Sequence, residues 1–293
     1  MSNILKGAKV SKLRKKDLKL DIKNLKEKGI NPKLSVLMCD HDPASSVYAG
    51  MIERNCNKMD IEFKLVKLSQ EISEEEFLNN LDSLNNDDSI HGIIVMMPLP
   101  SHIDSEKVSL KISYKKDIDG ISPINAGKNL LGLPTFIPST SQACQDILKG
   151  FEIETSGKNV VIVGRSNIVG KPLANLLLTR GKFADATVTV CHSKTKDLKE
   201  VTKRADIIVA AIGSPEFITK EFVSKGQTIV DVGMNEKTVD GEVVLCGDVN
   251  FDEVKDIVEN ITPVPGGVSP LTNVALMTNL LKAIELQKGN ITI

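Results

Sequence analysis

The chain has 293 residues, of which 41% are apolar and 26% are charged, and its formal net charge is −1. This length and composition are typical of one large or two ordinary globular domains. The balanced charge excludes a global basic field, so we expect neither nucleic acid nor a membrane surface as a partner. No apolar run approaches the roughly 20 residues that a membrane-spanning helix needs.

The cysteines indicate a reducing compartment. There are five, they are far apart in the chain, and they form no CxxC pair. This spacing argues against a disulfide framework and a structural zinc site, and we identify no cluster of metal ligands. The stretch from Met1 to Lys16 lacks the apolar core of a secretory signal. We therefore expect a cytoplasmic protein without a bound metal.

Short β-branched segments alternate with helical patterns in the first half of the chain. The basic stretch from Lys6 to Lys28 is typical of the solvated face of an amphipathic helix. Asp42-Pro43 predicts one helix start, and Ser73 with Glu76 forms a capping box at another. The predicted strands are Leu34–Met38, Ile61–Leu68 and Ile90–Met96, and the predicted helices between them are Ala44–Met59 and Glu74–Leu84.

The same alternation resumes near residue 159. It predicts βαβ units with right-handed crossovers and a parallel sheet. A last amphipathic helix, Leu271–Gln287, follows a loop rich in Pro and Gly. The predicted strands are Asn159–Val163, Ala186–Cys191, Asp206–Ala211 and Thr228–Val232, and the predicted helices are Lys171–Thr179, Asp197–Lys203 and Thr219–Val223.

The two series predict an α/β protein of two domains with a cleft between them. Residues 117–138, which carry prolines and glycines, separate the series. We assign residues 1–138 to the first domain, with the C-terminal helix 271–293 packing back onto it. Residues 139–270 form the second domain, of the Rossmann dinucleotide-binding type.

A glycine turn joins an apolar strand to a helix at residues 160–172. Its spacing, from Gly164 through Ser166 to Gly170, is G-x-S-x-x-x-G rather than the usual G-x-G-x-x-G. Glycine lets the backbone approach a pyrophosphate, and the N-terminus of the next helix supplies free N–H groups. A plain strand–turn–helix corner is the alternative interpretation of so short a motif.

The end of the next strand favours NADP over NAD. Rossmann sites for NAD usually place Asp or Glu there to bind the ribose hydroxyls. Residues 191–195 contain no carboxylate. Arg165, Ser193 and Lys194 are instead suited to hold a 2′-phosphate through charge-assisted hydrogen bonds.

The most distinctive stretch is 261–272, where three prolines and two glycines within 263–270 predict a rigid loop. Together with other segments in the same order, this loop resembles the methylenetetrahydrofolate dehydrogenase/cyclohydrolase (FolD) family. The resemblance covers about residues 5–288. The other matching segments are Asp42–Ser45 followed by Tyr48, Met97–Pro100, Lys116–Gly120, Gly164–Ser166 through Gly170, and Cys191–Thr195.

The resemblance implies an activity and a set of partners. In the family, NADP takes a hydride from 5,10-methylenetetrahydrofolate, and the resulting methenyl cation is hydrolysed to 10-formyltetrahydrofolate. The first domain would then bind the folate and the second would bind NADP. The resemblance also implies a homodimer formed through the Rossmann domains.

The same resemblance assigns roles to individual residues. Tyr48 stacks on the folate, and the carboxylate of Asp119 binds the N–H donors of the pterin. The other implied substrate positions are Pro98, Leu99, Pro265, Gly266 and Gly267, and the implied cofactor positions are Gly164, Arg165, Ser166, Ser193 and Met234.

Two departures from the family pattern concern the hydrolytic step. The family has a lysine four residues after the tyrosine and a glutamine before the PLP segment. Here these catalytic positions hold Ile52 and Met96, which cannot transfer a proton. We therefore expect dehydrogenase activity with weak or absent cyclohydrolase activity. Smaller departures are Ser139, Ser141, Ser269 and an insertion near 180–185.

Three alternatives stay open at this stage. The enzyme is fully bifunctional if another cation, such as Arg54 or Lys115, takes the place of the lysine. It is a non-catalytic relative if the fold binds folate and NADP without turnover. A different Rossmann oxidoreductase is the third alternative, which binding of a tetrahydrofolate analogue distinguishes.

Overall fold

The computed structural model describes residues 2–239 and 241–291 and divides the chain into two compact units. The three-stranded unit comprises residues 15–138 and 276–293. The six-stranded unit comprises residues 1–14 and 139–275. Both units combine parallel strands with helices, so the predicted two-domain α/β class is confirmed.

The three-stranded unit is built on strand β2, Lys33–Asp40, which lies between β3 and β4 and is parallel to both. Residues 34–39 are all buried. A strand covered on both faces has an almost continuous apolar run, and LSVLMC is such a run. The other elements are β3 (Glu62–Ser69), β4 (Gly92–Val95), α2 (Pro43–Met59), α3 (Glu74–Asn85), α4 (Ser105–Lys111) and α5 (Pro123–Leu130).

The helix starts of this unit follow from local side-chain chemistry. The carboxylate of Asp42 accepts the backbone N–H of Ser45 at 2.9 Å, and Pro43 occupies the first turn of α2. The predicted capping box of α3 is present. The Ser73 hydroxyl accepts the N–H of Glu76 at 3.2 Å, and the Glu76 carboxylate accepts the N–H of Ser73 at 3.3 Å.

The six-stranded unit contains a fully parallel sheet in the order β1-β11-β8-β7-β5-β6. Its strands are β1 (Asn3–Ile4), β5 (Asn159–Val163), β6 (Thr187–Cys191), β7 (Ile207–Ala210), β8 (Thr228–Asp231) and β11 (Asn260–Ile261). Its helices are α6 (Ser139–Gly150), α7 (Gly170–Leu178), α8 (Leu198–Lys203) and α9 (Phe251–Val254), and β9 (Asn235–Val239) forms a hairpin with β10 (Glu242–Cys246).

The prediction of a helix at Thr219–Val223 is wrong, because that segment forms only a three-residue 3₁₀ turn, Lys220–Phe222.

Two helices begin in the six-stranded unit and end in the three-stranded unit: α1 (Gly7–Glu27) and α10 (Ser269–Gln287). The first fourteen residues belong to the six-stranded unit because β1 pairs with β11. The sequence pattern alone groups them with the first domain.

Both faces of the six-stranded sheet are covered. Val160 and Ile162 of β5 pack in one apolar cluster, whereas Val161 and Val163 pack in another. Strand β7 alternates in the same way. This period of two places successive side chains on opposite faces of the sheet. The strands therefore bury both faces and leave their carboxyl ends for loops.

All five cysteines are buried free thiols. Among the described residues, no helix is long and apolar enough to span a bilayer.

Helix α10 fixes the segments on either side of α5 through one side chain. The buried amide of Asn279 donates to the carbonyl of Ile118 at 2.8 Å and to that of Ile137 at 2.9 Å. Both carbonyls lie outside helices and sheets. One amide therefore satisfies two main-chain acceptors that would otherwise be left without this partner.

We predict that Asn279→Ala lowers the free energy of unfolding by about 1–3 kcal/mol, because buried carbonyls lose their donor. Urea unfolding of the full chain measures this difference. The control is Asn80→Ala, which removes a solvent-exposed hydrogen bond from the side-chain amide of Asn80 to the carbonyl of Glu76 in the same unit. Equal destabilisation by the two changes would contradict the role assigned to Asn279.

Candidate functional site

The glycine turn lies at the carboxyl end of β5. Gly164 has a φ of +136°, and a Cβ there would lie 2.0 Å from the carbonyl oxygen of Ala211. A Cβ on Gly170 would lie 2.1 Å from the carbonyl oxygen of Gly164. Only glycine fits such approaches. The two glycines are therefore required by a tightly folded turn at the sheet edge where dinucleotides bind in this architecture.

The polar groups predicted for the 2′-phosphate lie at this same edge. Strands β5 and β6 pair in parallel with Val163 opposite Cys191. Arg165 and Ser193 each lie two residues beyond these partners, and both are exposed. Ser166 is also exposed, and its hydroxyl accepts the N–H of Val169 at 3.1 Å before α7 begins. The register thus brings the predicted cofactor residues of the turn and of β6 to neighbouring strand ends.

The proline–glycine loop forms a wall of a small pocket within the six-stranded unit. Gly233, Met234, Pro265, Gly266 and Gly267 all line it. The structure therefore brings together Met234, predicted for the cofactor, and the three loop residues predicted for the substrate.

Close backbone approach also holds this loop. The N–H of Gly7 donates to the carbonyl of Gly266 at 3.0 Å, and a Cβ on Gly7 would lie 2.0 Å from the carbonyl oxygen of Gly267. A Cβ on Gly267 would lie 2.6 Å from the carbonyl oxygen of Pro263. The Val264–Pro265 bond is cis. The close contacts of Gly7 and Gly267 fix the surface of the loop, and Pro265 is exposed on it.

An almost completely buried carboxylate is also among the residues that line this pocket. Asp231, the last residue of β8, accepts backbone N–H bonds from Gly233 at 2.9 Å, Asp248 at 3.0 Å and Val249 at 3.0 Å. Burial raises the pKa of Asp231 to about 7 despite these donors. Sequence reasoning missed Asp231 and Asp248. The signal was available, since each is an aspartate one or two residues from a glycine in an apolar segment, DVG and GDV.

In the three-stranded unit, the predicted substrate residues lie on α2 and on the segment after β4. Tyr48 is partly buried on α2, and Ile52, one turn later, is completely buried. Met96 is also buried. The Ser45 hydroxyl donates to the Asp42 carboxylate at 2.6 Å and lies 3.3 Å from the carbonyl of Met97, so the start of α2 adjoins this segment.

The segment itself turns sharply beyond β4. The Met97–Pro98 bond is cis, Pro98 is exposed and Leu99 is partly buried. Both predicted positions line an open surface depression formed by residues 97–105.

Asp119 lies in a loop that also contains a buried aspartate, Asp117. The Asp117 carboxylate accepts N–H bonds from Ile121 at 3.0 Å, Ser122 at 2.8 Å and the Asn125 amide at 2.8 Å. Burial raises the pKa of Asp117 to about 6. Asp119 is only partly buried. The loop therefore has a rigid base and an accessible carboxylate.

Comparison with known proteins identifies both parts of the chain. The model of the tetrahydrofolate dehydrogenase/cyclohydrolase catalytic domain matches residues 5–119, and the model of the NAD(P)-binding domain of the same family matches residues 138–288. The bifunctional protein FolD of Enterococcus faecalis is 45% identical over 288 residues, which is 98% of this chain and 100% of that protein.

Solved structures agree with these matches. The bifunctional FolD enzyme of Campylobacter jejuni is 40% identical with a TM-score of 0.91, covering 98% of this chain and 100% of that one. The FolD enzyme of Trypanosoma brucei, solved with NADP and an inhibitor, is 31% identical with a TM-score of 0.92, covering 98% of each chain.

We predict that Asp231 makes the folded state less stable as the pH rises from about 4 to about 7. Its folded pKa is raised above the ordinary 3.8, so the unfolded chain releases this proton first. The contribution to the free energy of unfolding then falls by at most about 1.4 kcal/mol per pH unit.

Chemical unfolding of the wild type and Asp231→Asn at several pH values measures this slope. We expect the difference between the two proteins to change between about pH 4 and pH 7, with the wild type losing stability relative to the variant. Parallel curves across this range would contradict the raised pKa.

Proposed function

The chain belongs to the tetrahydrofolate dehydrogenase/cyclohydrolase family, as its sequence motifs predict, and we propose that it oxidises 5,10-methylenetetrahydrofolate with NADP. The observation that carries this proposal is the glycine turn with Arg165 at the end of β5, beside the end of β6, where residues 191–195 bear Lys194 and no carboxylate. We further propose that the hydrolytic activity of the family is weak or absent here.

The residues at the carboxyl edge of the six-stranded sheet fit NADP. Gly164 and Gly170 leave no room for a Cβ, so the backbone itself forms the surface on which a pyrophosphate rests. Arg165, Ser193 and Lys194 are exposed and offer a guanidinium, a hydroxyl and an ammonium to a 2′-phosphate. When bound, NADP supplies the acceptor for a hydride. Met234, which follows β8, is a further proposed contact with NADP at the same edge of the sheet.

The folate half of the proposal assigns roles to the three-stranded unit. Tyr48 offers an aromatic face for stacking, and Asp119 offers an accessible carboxylate to the N–H donors of a pterin. Pro98 and Leu99 supply apolar contacts, and the loop Pro265–Gly267 of the other unit is also assigned to the substrate. Hydride transfer needs orientation rather than an acid or base, so these binding roles suffice for the oxidation.

The loss of hydrolysis is proposed from Ile52 and Met96. Both side chains are buried and apolar, and neither can move a proton or polarise water. The family's lysine and glutamine are replaced together. Losing only one would leave a buried polar group unsatisfied at about 1–3 kcal/mol, so the double replacement is physically consistent.

The other candidate cations offer little support for a fully bifunctional enzyme. Arg54 is exposed, and its guanidinium lies 3.5 Å from the position that a Cβ on Gly50 would take, on the preceding turn of α2. Lys115 is also exposed. Neither occupies the buried environment of Ile52 and Met96.

Two further parts of the proposal concern assembly and location. A homodimer through the Rossmann domains is proposed from the family resemblance. A cytoplasmic location is proposed because all five cysteines are free thiols that a reducing compartment would preserve.

We predict that the purified protein forms NADPH from 5,10-methylenetetrahydrofolate but does not accelerate the loss of 5,10-methenyltetrahydrofolate above its spontaneous hydrolysis. Ile52→Lys with Met96→Gln restores part of a general acid–base contribution of about 10²–10⁴-fold. The two spectrophotometric assays are run side by side. The control Ile52→Met with Met96→Leu repacks the same positions without polar groups and restores nothing.

Each other outcome supports a different alternative. Both activities in the wild type at comparable rates would show that another group performs the proton chemistry. Binding of NADPH and a folate analogue without turnover would support a non-catalytic relative. Failure to bind a tetrahydrofolate analogue, with oxidation of another substrate, would support a different oxidoreductase.

We also predict that Arg165→Ala raises the KM for NADP about 10- to 100-fold, because a bond to a charged group contributes about 1.5–3 kcal/mol. The KM for NAD, which lacks the 2′-phosphate, stays nearly constant. Steady-state kinetics with both cofactors measure this difference. The control is Arg180→Ala, an exposed arginine of the same unit, and an equal loss for both cofactors would contradict the assignment.

A further inference from the structure

One buried carboxylate ties together the segments that follow β7 and β8. Asp248, which follows β10 and precedes α9 in the chain, is fully buried. It accepts the backbone N–H groups of Ile212 at 2.6 Å, Gly213 at 3.1 Å and Ser214 at 2.9 Å. It also accepts the side-chain amide of Asn235 at 2.9 Å. Three consecutive amides after β7 and one side chain after β8 thus converge on a single negative charge.

A second buried carboxylate, that of Asp231, binds the backbone of Asp248. The N–H of Asp248 donates to Asp231 at 3.0 Å. A Cβ on Gly233 would lie 2.4 Å from the Asp248 carboxyl carbon, and a Cβ on Gly247 would lie 1.8 Å from Asp231 Oδ2. The two carboxylates are therefore packed directly against the backbone of the neighbouring segments, where only glycine fits.

This arrangement leaves Met234 as the exposed part of a fixed segment. The N–H of Gly233, before it, is held by Asp231, and the side chain of Asn235, after it, is held by Asp248. Met234 itself is 54% exposed. The carboxylates therefore fix the position of Met234, while both are almost completely buried themselves.

The sheet order locates this feature relative to the proposed cofactor. The groups assigned to the 2′-phosphate and the pyrophosphate follow β6 and β5, whereas β7 and β8 continue along the same edge. A dinucleotide laid along this edge, with its adenosine at β6 and β5, brings its nicotinamide half to β7 and β8. Asp248 therefore binds the segments that follow β7 and β8, at the part of this edge that the adenosine does not occupy.

We propose that Asp248 is a positioning residue for the nicotinamide half of the cofactor, acting through the 212–214 loop and Met234. This inference rests on the proposed NADP-dependent function. The charge matters because four donors point at one carboxylate. A neutral amide in its place accepts at one oxygen and turns its own N–H donors towards the others.

The test compares two ligands by calorimetry on the full-length protein. NADPH spans the whole edge, whereas 2′,5′-ADP (adenosine with phosphates at both positions) reaches only the β6 and β5 side. We expect Asp248→Asn to weaken NADPH binding about tenfold or more, with 2′,5′-ADP affinity within about twofold of the wild type. Asn235→Ala, which removes one donor, weakens NADPH binding in the same direction by less and carries the test if Asp248→Asn does not fold.

The control is Asp206→Asn. Its carboxylate also accepts a backbone N–H, that of Asn159 at 2.8 Å, but at the amino ends of the strands of the same sheet. We expect it to leave both affinities unchanged.

The outcomes separate this inference from the function on which it rests. Equal weakening of both ligands by Asp248→Asn, or no weakening of NADPH binding, would overturn the positioning role. Failure of the wild-type protein to bind either ligand would overturn the proposed cofactor and this inference with it.

Discussion

Buried aspartates that bind loop backbone hold both candidate binding surfaces in place. The carboxyl ends of parallel strands leave main-chain N–H groups that the sheet itself does not pair. Asp117 satisfies such groups in the three-stranded unit, and Asp231 and Asp248 do so in the six-stranded unit. Burial of Asp117 and Asp231 is unfavourable enough to raise their pKa values. Hydrogen bonds from the loop N–H groups offset part of this cost of burial. The same bonds hold the loops in the fixed geometry that ligand positioning requires.

The family's two reactions depend on different kinds of residue. In the proposed function, hydride transfer depends on surfaces: the glycine turn, the proline–glycine loop, an aromatic face and a carboxylate for the pterin. Hydrolysis depends on a side chain that can move a proton. Under the proposed function, this chain keeps the surfaces and has the apolar, buried Ile52 and Met96 at the positions for proton transfer, so it loses one activity without disturbing the other. The apolar replacements also leave no buried charge that would need a partner.

The sequence predicts the long, periodic elements well and the short ones poorly. The capping box at Ser73 and the apolar runs of β2 and β5 are local signals, and each element lies where the pattern indicates. Strands β1 and β11 have two residues each, too few for any period, and only their pairing defines them. The segment at Lys220–Phe222 has helical composition but forms a single 3₁₀ turn. The hairpin of β9 and β10 was missed because its exposed strands alternate weakly.

The sequence by itself determined the α/β class and the family, because ordered motifs and hydrophobic period are local properties of the chain, and the roles of the candidate site residues stay predictions. Only the tertiary structure decided what Asp117, Asp231 and Asp248 do. An aspartate within three residues of a glycine, as each of these is, is typical of an ordinary turn. Only the structure shows that their carboxylates accept N–H groups, some of them from residues more than thirty positions away, as between Asp248 and Ile212. Tertiary structure likewise assigned the first residues to the second sheet, since strand pairing between Asn3 and Asn260 is a long-range interaction with no local signal.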